Sequence, residues 1–141
     1  MSISNASARW DGSLKTGHGT MTPAHGSEVP FSVGTRFEGA QGSNPEELIG
    51  AALSGCFSMA LSLGLEKAGM TPESIRTSAR VHLEKSGDGF AITKIDLATE
   101  ARVKGGDPAK FRAIAEETKK GCPVGKALAS TEIALDAKLV G

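Results

Sequence analysis

Two cysteines, Cys56 and Cys122, are the residues of this 141-residue chain best suited to redox chemistry. Cys56 lies in a long apolar stretch, where a free cysteine usually behaves as a small buried hydrophobic residue. Cys122 follows one predicted helix and precedes another, with Pro123 at the first position of the second helix. Because the N–H groups at a helix start favour a thiolate, and a junction is mobile, we expect Cys122 to be reactive.

Together the two thiols predict a specific chemistry. A peroxidatic cysteine needs a fixed pocket in which it is oxidised to sulfenic acid, and a resolving cysteine must then condense with it as a disulfide. The helix fixes Cys56 for the first role, and the junction suits Cys122 for the second. A thiol in apolar surroundings is not ionised near neutral pH, so a cation is expected close to Cys56.

Arg36 is the leading candidate for that cation. Residues 31–37 alternate between apolar and other side chains, which predicts a strand with Arg36 on the face opposite the phenylalanines. A planar guanidinium can hold both a thiolate and a peroxide oxygen. A buried arginine also needs a carboxylate to orient it, and Glu46 is the first choice, with Glu47 and Glu38 as alternatives.

Glu46 cannot act on the sulfur directly. Glu46 and Cys56 are ten positions apart in the chain. Along a straight helix this spacing gives a rise of about 15 Å, and the two side chains point in directions that differ by about 80° around the helix axis. Either Arg36 bridges the two residues, or the helix is broken around Gly50 or Gly55, or the contacts come from a second subunit.

The helix that carries Cys56 has clear ends. Asn44 suits the N-cap, Pro45 the first helical position, and Gly69 the stop after Ala68. Residues 48–65 carry no charge, but six of them are Gly or Ser, which lowers the hydrophobicity well below that of a membrane span. The segment therefore predicts a long central helix buried in the protein core.

Alternation and turn residues predict the other elements. They are a hairpin of residues 4–10 and 18–22, a strand pair of residues 75–84 and 90–103 with a bulge near Thr93 or Lys94, a helix from Asp107 to Gly121, a short helix from Cys122 to about Ala129, and a strand of residues 131–139. This order is not a βαβ alternation, so the fold class is α+β with mostly antiparallel sheets. A chain of this length predicts a single domain over residues 1–141.

Composition excludes several function classes. Lys and Arg together balance Asp and Glu at 16 each, and aromatic residues are few, so neither nucleic acid nor a membrane surface is an expected partner. The spacing of His18, His25 and His82 does not suit zinc, and no cofactor or metal is expected. The first residues do not read as a secretory signal, so the expected location is the cytoplasm.

Four blocks of sequence follow one another in order: Thr35–Gly39, Asn44–Ala52, Cys56–Leu61 and Gly121–Val124. Together they resemble the OsmC/Ohr family of osmotically inducible and organic hydroperoxide resistance proteins. The placement of Arg36 is more similar to the OsmC branch, whereas Arg9 is the competitor in the region that the Ohr branch uses.

The resemblance implies a cysteine-based peroxidase that reduces organic hydroperoxides and, as a further substrate, hydrogen peroxide. It implies an intertwined homodimer with active sites at the subunit interface. Cys56 matches the peroxidatic position and Cys122 the resolving one, while Arg36 and Glu46 match the residues that activate the thiol. The implied reductant is a dithiol, either a dihydrolipoyl protein or a thioredoxin-like protein.

Two alternatives stay open at the level of sequence. One is a non-catalytic dimer that binds a hydrophobic ligand, with both cysteines as core residues. The other is a redox sensor that passes a disulfide to a partner protein.

Overall fold

A computed structural model describes residues 1–141, which form two compact units, residues 1–48 and 49–141. The first unit has an antiparallel sheet in which β2 lies between the other two strands. Its elements are β1 (Ala6–Asp11), β2 (His18–Pro23), β3 (Val29–Phe31) and the short helix α1 (Val33–Phe37). β1 and β2 pair as the predicted hairpin, with Asp11 opposite His18. The single-domain expectation stays a prediction.

The strand predicted over residues 31–37 is wrong, because the chain turns into α1 after Phe31. Ser32 Oγ accepts the N–H of Thr35 at 3.2 Å, and Thr35 Oγ1 accepts the N–H of Ser32 at 2.9 Å. This capping box satisfies backbone donors locally and so competes with a sheet ladder. Arg36 therefore lies in the last turn of a helix instead of on the polar face of a strand.

The long helix α2 (Pro45–Lys67) begins as predicted and ends one residue before the predicted end at Ala68. Asn44 Oδ1 accepts the N–H of Glu47 at 2.9 Å, and Gly69 follows the helix with a φ of +79°. α2 passes through Gly50 and Gly55 without interruption. The alternative of a helix broken at either glycine is therefore wrong.

The two faces of α2 differ in burial. One face is almost completely buried and consists of Leu53, Phe57, Leu61 and Leu65. The opposite face is also apolar, yet Met59 is 79% exposed and Leu63 is 54% exposed. α2 is long and apolar enough to pass for a membrane span by length and composition, which is weak evidence by itself. In the single chain α2 is therefore buried on one face, and its burial as a central helix stays a prediction.

The second sheet contains the clearest predicted strands. Its elements are β4 (Ser74–Ser86), β5 (Gly89–Arg102) and β6 (Glu132–Val140), with β5 in the middle. β4 and β5 form an antiparallel hairpin in which His82 faces Lys94 and Leu83 faces Ile92. Thr93 is thus the extra residue of the predicted bulge. β6 runs parallel to β5, while the other strand pairs are antiparallel, which confirms the α+β class with mostly antiparallel sheets.

Two helices complete the second unit, α3 (Pro108–Gly121) and α4 (Pro123–Ala127). α3 buries Phe111, Ala115 and Thr118. The core joins the buried face of α2 to residues of β5 and α3.

A chain of hydroxyl groups links α2 to the second sheet. Ser58 Oγ lies 2.7 Å from Thr77 Oγ1, which lies 2.9 Å from Thr99 Oγ1. Thr99 Oγ1 then donates to the carbonyl oxygen of Arg76 at 3.3 Å. Because a buried hydroxyl needs a partner, these bonds fix the position of α2 against β4 and β5.

Candidate active site

The structure brings Cys56 and Cys122 together. Cys56 is half-buried on α2, and Cys122 is 1% exposed at the junction of α3 and α4. Cys56 Sγ accepts the N–H of Val124 at 3.5 Å, and Cys122 Sγ accepts the N–H of Gly125 at 3.3 Å. Both sulfurs are thus held by the first turn of α4 as free thiols.

The local sequence explains this junction. Cys122 donates its N–H to Thr118 at 3.0 Å and so ends α3, while its side chain caps α4. Glycine is required at position 125 because its backbone lies very close to other atoms. A side chain there would place its Cβ 2.7 Å from the carbonyl oxygen of Lys119 and 3.1 Å from Cys122 Sγ.

The electrostatics of Cys122 differ from the expectation. Burial raises the pKa of the Cys122 thiol, and its hydrogen bond with the Cys56 side chain raises the pKa further. Hydrogen bonds from the N–H groups of Gly125 and Val124 lower the pKa of Cys122, but the net effect is still a raised pKa. The prediction that the helix start favours the Cys122 thiolate is therefore wrong, because desolvation outweighs two backbone donors.

Arg36 and Glu46 form the pair that the sequence suggested. Arg36 Nε lies 2.9 Å from Glu46 Oε1 and 3.2 Å from Oε2, and Arg36 Nη2 also donates to Oε1. Glu46 is 6% exposed. Glu47 instead accepts the hydroxyl of Ser43 at 2.6 Å, and Glu38 is exposed at the end of α1. Glu46 is thus the partner, and two-point contact fixes the guanidinium plane.

The start of α2 and the end of α1 hold this pair in place. Asn44 Nδ2 donates to the carbonyl oxygen of Thr35 at 3.2 Å, and the Arg36 guanidinium lies 5.5 Å from the centre of the Phe37 ring. Arg9, the rival arginine, has a side chain that is 79% exposed and pairs with Asp11 at 3.1 Å. Both members of the Arg36–Glu46 pair belong to residues 1–48, whereas both cysteines belong to residues 49–141.

Sequence reasoning missed two features of the site. One is the capping box of Ser32 and Thr35, whose spacing of three residues is a signal for a helix start. The other is the N–H of Val124 that Cys56 Sγ accepts, which only the tertiary contact between α2 and α4 reveals.

The histidines take no part in the site. His82 is half-buried, with its Nε2 2.6 Å from Asp96 Oδ2. The hydrogen bond from His82, together with Lys94, lowers the pKa of Asp96. No group of three or more His, Cys, Asp or Glu residues is arranged to hold a metal ion.

Comparison with known proteins identifies the family. The family model for OsmC-like protein matches residues 38–138. Peroxiredoxin OsmC from Escherichia coli strain K12 is 52% identical over 134 residues, which cover 94% of this chain and 93% of the relative.

Solved structures show the same fold at lower identity. The OsmC-like protein from Mycoplasma pneumoniae has a TM-score of 0.79 at 14% identity, with 99% of each chain covered. The organic hydroperoxide resistance protein OhrB of Bacillus subtilis has a TM-score of 0.67 at 22% identity, with 96% of this chain and 97% of that chain covered.

Proposed function

The chain belongs to the OsmC-like protein family, and on that premise we propose that it is a thiol-dependent peroxidase for organic hydroperoxides. Hydrogen peroxide is a further substrate. The observation that carries this function is the contact between the thiols of Cys56 and Cys122 in a chain that is 52% identical to a peroxiredoxin. No cofactor takes part, because sulfur supplies both electrons.

Cys56 is the peroxidatic cysteine. Its thiolate attacks one oxygen of ROOH, the O–O bond breaks, and the alkoxide leaves as ROH after it takes a proton. The sulfur of Cys122 then attacks the sulfenic acid of Cys56, and water leaves as the disulfide forms. Cys56 is half-buried and so can meet peroxide, whereas Cys122 is 1% exposed and has a raised pKa. Cys122 therefore suits the second step.

Arg36 is the group that stabilises the Cys56 thiolate and a peroxide oxygen, and Glu46 orients it. The guanidinium is held to Glu46 by Nε and Nη2, so it stays beside that carboxylate. Along the unbroken α2, Glu46 and Cys56 are about 15 Å apart in rise. We therefore assign the arginine that serves each Cys56 to a second subunit.

An intertwined homodimer provides that second subunit. The exposed face of α2 is apolar and consists of Ala52, Gly55, Met59 and Leu63. Water contact with such a face is unfavourable, and the small residues allow another backbone to approach closely. A second copy that covers this face would bury α2 on all sides.

A dithiol reductant, either a dihydrolipoyl protein or a thioredoxin-like protein, closes the cycle. It returns the disulfide to two thiols and becomes a disulfide itself. Such reductants maintain free thiols in the cytoplasm, which is where we place this protein.

Thiol counting tests the function. Reduced wild-type protein mixed with one equivalent of cumene hydroperoxide is expected to lose both thiols, with an internal disulfide as product. Cys122→Ser is expected to consume one equivalent and stop at a sulfenic acid on Cys56. Cys56→Ser is expected to show no turnover, and full turnover in that variant would overturn the assignment.

The same experiment separates the alternatives. A protein that only binds hydrophobic ligands would retain both thiols. A redox sensor would react slowly and accumulate a stable mixed disulfide with its partner.

A further inference from the structure

The helix α1, which carries Arg36, has little burial to hold it in place. It is five residues long, and none of its residues is buried. The Arg36 side chain is 38% exposed. Because a long side chain loses conformational freedom when it is held in one geometry, the position of this guanidinium depends on polar contacts that fix its backbone.

Asn44 makes polar contacts to both α1 and α2. Its Nδ2 donates to the carbonyl oxygen of Thr35 at 3.2 Å, and its Oδ1 accepts the N–H of Glu47 at 2.9 Å. The first partner lies in the last turn of α1 and the second in the first turn of α2, where backbone groups lack partners within their own helix. One side chain thus caps the end of one helix and the start of the next.

The two backbone groups that Asn44 holds adjoin the ion pair. The Thr35 carbonyl belongs to the peptide group that joins Thr35 to Arg36. The Glu47 N–H belongs to the peptide group that joins Glu46 to Glu47. Because each peptide group is planar, these bonds fix the backbone from which both charged side chains extend. Asn44 therefore sets the distance between Arg36 and Glu46 from the backbone side.

The amide of asparagine suits both contacts. The Glu47 N–H needs an acceptor and the Thr35 carbonyl needs a donor, and an asparagine side chain carries one of each on two different atoms. Serine also caps a helix well, but its single oxygen leaves no second group for the other helix. The two contacts can therefore be separated by substitution.

We propose that Asn44 is a positioning residue for the peroxidase reaction, which sets Arg36 against Glu46 and so presents the guanidinium in the orientation that stabilises the Cys56 thiolate. This inference rests on the proposed peroxidase function. The contacts of the Asn44 side chain are to backbone groups, so its effect on the reaction passes through Arg36.

Asn44→Ser tests the role of the bond to Thr35. Serine is as good an N-cap as asparagine, so α2 keeps its start while α1 loses the donor. Ser43→Ala is the matched control. It removes the 2.6 Å hydroxyl bond to Glu47 Oε1 at the same helix start and leaves both bonds of Asn44 in place.

The first measurement follows the guanidinium itself and needs no peroxide. The Nε–H of Arg36 lies 2.9 Å and 3.2 Å from the two oxygens of Glu46, and it gives an NMR cross-peak that Arg36→Lys removes. We expect this proton to exchange with water about tenfold faster in Asn44→Ser than in the wild type, because exchange reports local opening. Ser43→Ala is expected to keep the wild-type rate. Equal exchange rates in the wild type and Asn44→Ser, or an equal gain in both variants, would overturn the proposal.

The second measurement follows the reaction of Cys56. Cumene hydroperoxide is mixed with each reduced protein, and loss of the Cys56 thiol is followed by stopped flow. We expect the rate constant to fall about tenfold in Asn44→Ser, because a small displacement of a catalytic group slows a reaction strongly. The wild-type rate is expected in Ser43→Ala, and a wild-type rate in Asn44→Ser contradicts the inference.

A double-mutant cycle shows whether the effect passes through Arg36. In an Arg36→Ala background, Asn44→Ser is expected to change the rate less than about twofold, because no guanidinium is left to position. An equal loss in both backgrounds would assign Asn44 to the stability of α2 alone and sink the proposal. If the wild-type protein does not react with peroxide, the proposed function is contradicted, whereas the NMR exchange rates still decide whether Asn44 holds Arg36.

Discussion

At the scale of single residues, the two cysteines show that a local signal can be outweighed by burial. Cys122 caps α4 and receives the N–H of Gly125, which by itself favours a thiolate. The side chain is also 1% exposed, and desolvation penalises the charged form more strongly. Its raised pKa therefore favours the thiol form of Cys122, as the proposed resolving role requires.

The raised pKa of Cys122 gives a prediction for its alkylation. In Cys56→Ser, iodoacetamide at pH 8 is expected to label Cys122 more than about tenfold slower than free cysteine, because only an accessible thiolate reacts. Burial is the main cause of the shift and persists in this variant. The rate is expected to keep rising above pH 9.0, the ordinary value for the thiol, where the rate for free cysteine levels off. Labelling of Cys122 as fast as in urea-unfolded protein would contradict the prediction.

At the scale of elements, short polar contacts decide where helices lie. The capping box of Ser32 and Thr35 turns a segment with strand periodicity into α1 and so places Arg36 beside Glu46. The hydroxyl chain from Ser58 through Thr77 to Thr99 fixes α2, which carries Cys56, against the second sheet. Each of these contacts involves only a few residues. Each nevertheless selects one arrangement of the helix among several that hydrophobic burial alone allows.

Thr77 is the middle of the hydroxyl chain and therefore its most sensitive position. Thr77→Val keeps the shape of the side chain but removes the hydrogen-bond partner of Ser58 and one hydrogen-bond partner of Thr99. We therefore expect the free energy of unfolding to fall by about 1–3 kcal/mol. Thr93→Val is the matched control, because Thr93 is exposed and bonds only Glu84 at 2.7 Å. Its expected cost is below about 0.5 kcal/mol. Urea unfolding measures both, and equal costs would show that the hydroxyl chain does not hold α2.

At the scale of the whole molecule, a single chain leaves its longest helix half covered. Met59 and Leu63 lie exposed opposite the buried Phe57 and Leu61. The Arg36–Glu46 pair and the cysteine pair are each well formed within their own unit. The proposed homodimer would account for both features, since it would cover the apolar face and let the arginine of one chain serve the cysteine of the other.

Mixed dimers test whether the arginine acts between subunits. A heterodimer of Arg36→Ala with Cys56→Ser, isolated with two affinity tags, is expected to show about half of the wild-type peroxidase activity. The reason is that one intact arginine then faces one intact cysteine across the interface.

The matched control pairs wild type with the Arg36→Ala, Cys56→Ser double variant. If the arginine acts across the interface, this heterodimer is expected to be inactive. The opposite pattern, an inactive first heterodimer and a half-active control, would place Arg36 and Cys56 of one active site in the same chain. Activity follows from peroxide consumption with dithiothreitol as reductant.

The sequence alone determined most of the elements and the residue types of the site. Asn44, Pro45 and Gly69 mark the ends of α2 because caps and turns depend on a few neighbouring residues. The alternation in β4 and β5, and the bulge at Thr93, follow from the same local periodicity. Arg36, Glu46 and the two cysteines were found by type and by resemblance. The structure pairs Arg36 with Glu46 and Cys56 with Cys122, while the catalytic role of each residue stays a prediction.

Only the tertiary structure decided what depends on residues far apart in the chain. The raised pKa of Cys122 comes from burial by distant segments, and Glu46 prevails over Glu47 because α1 brings Arg36 to it. The one-sided burial of α2 likewise depends on which elements pack against it, and periodicity cannot reveal this when both faces are apolar. A sequence pattern reflects the conformational preference of neighbouring residues. The desolvation of a side chain and the choice of its partner depend instead on which distant residues the fold brings close to it.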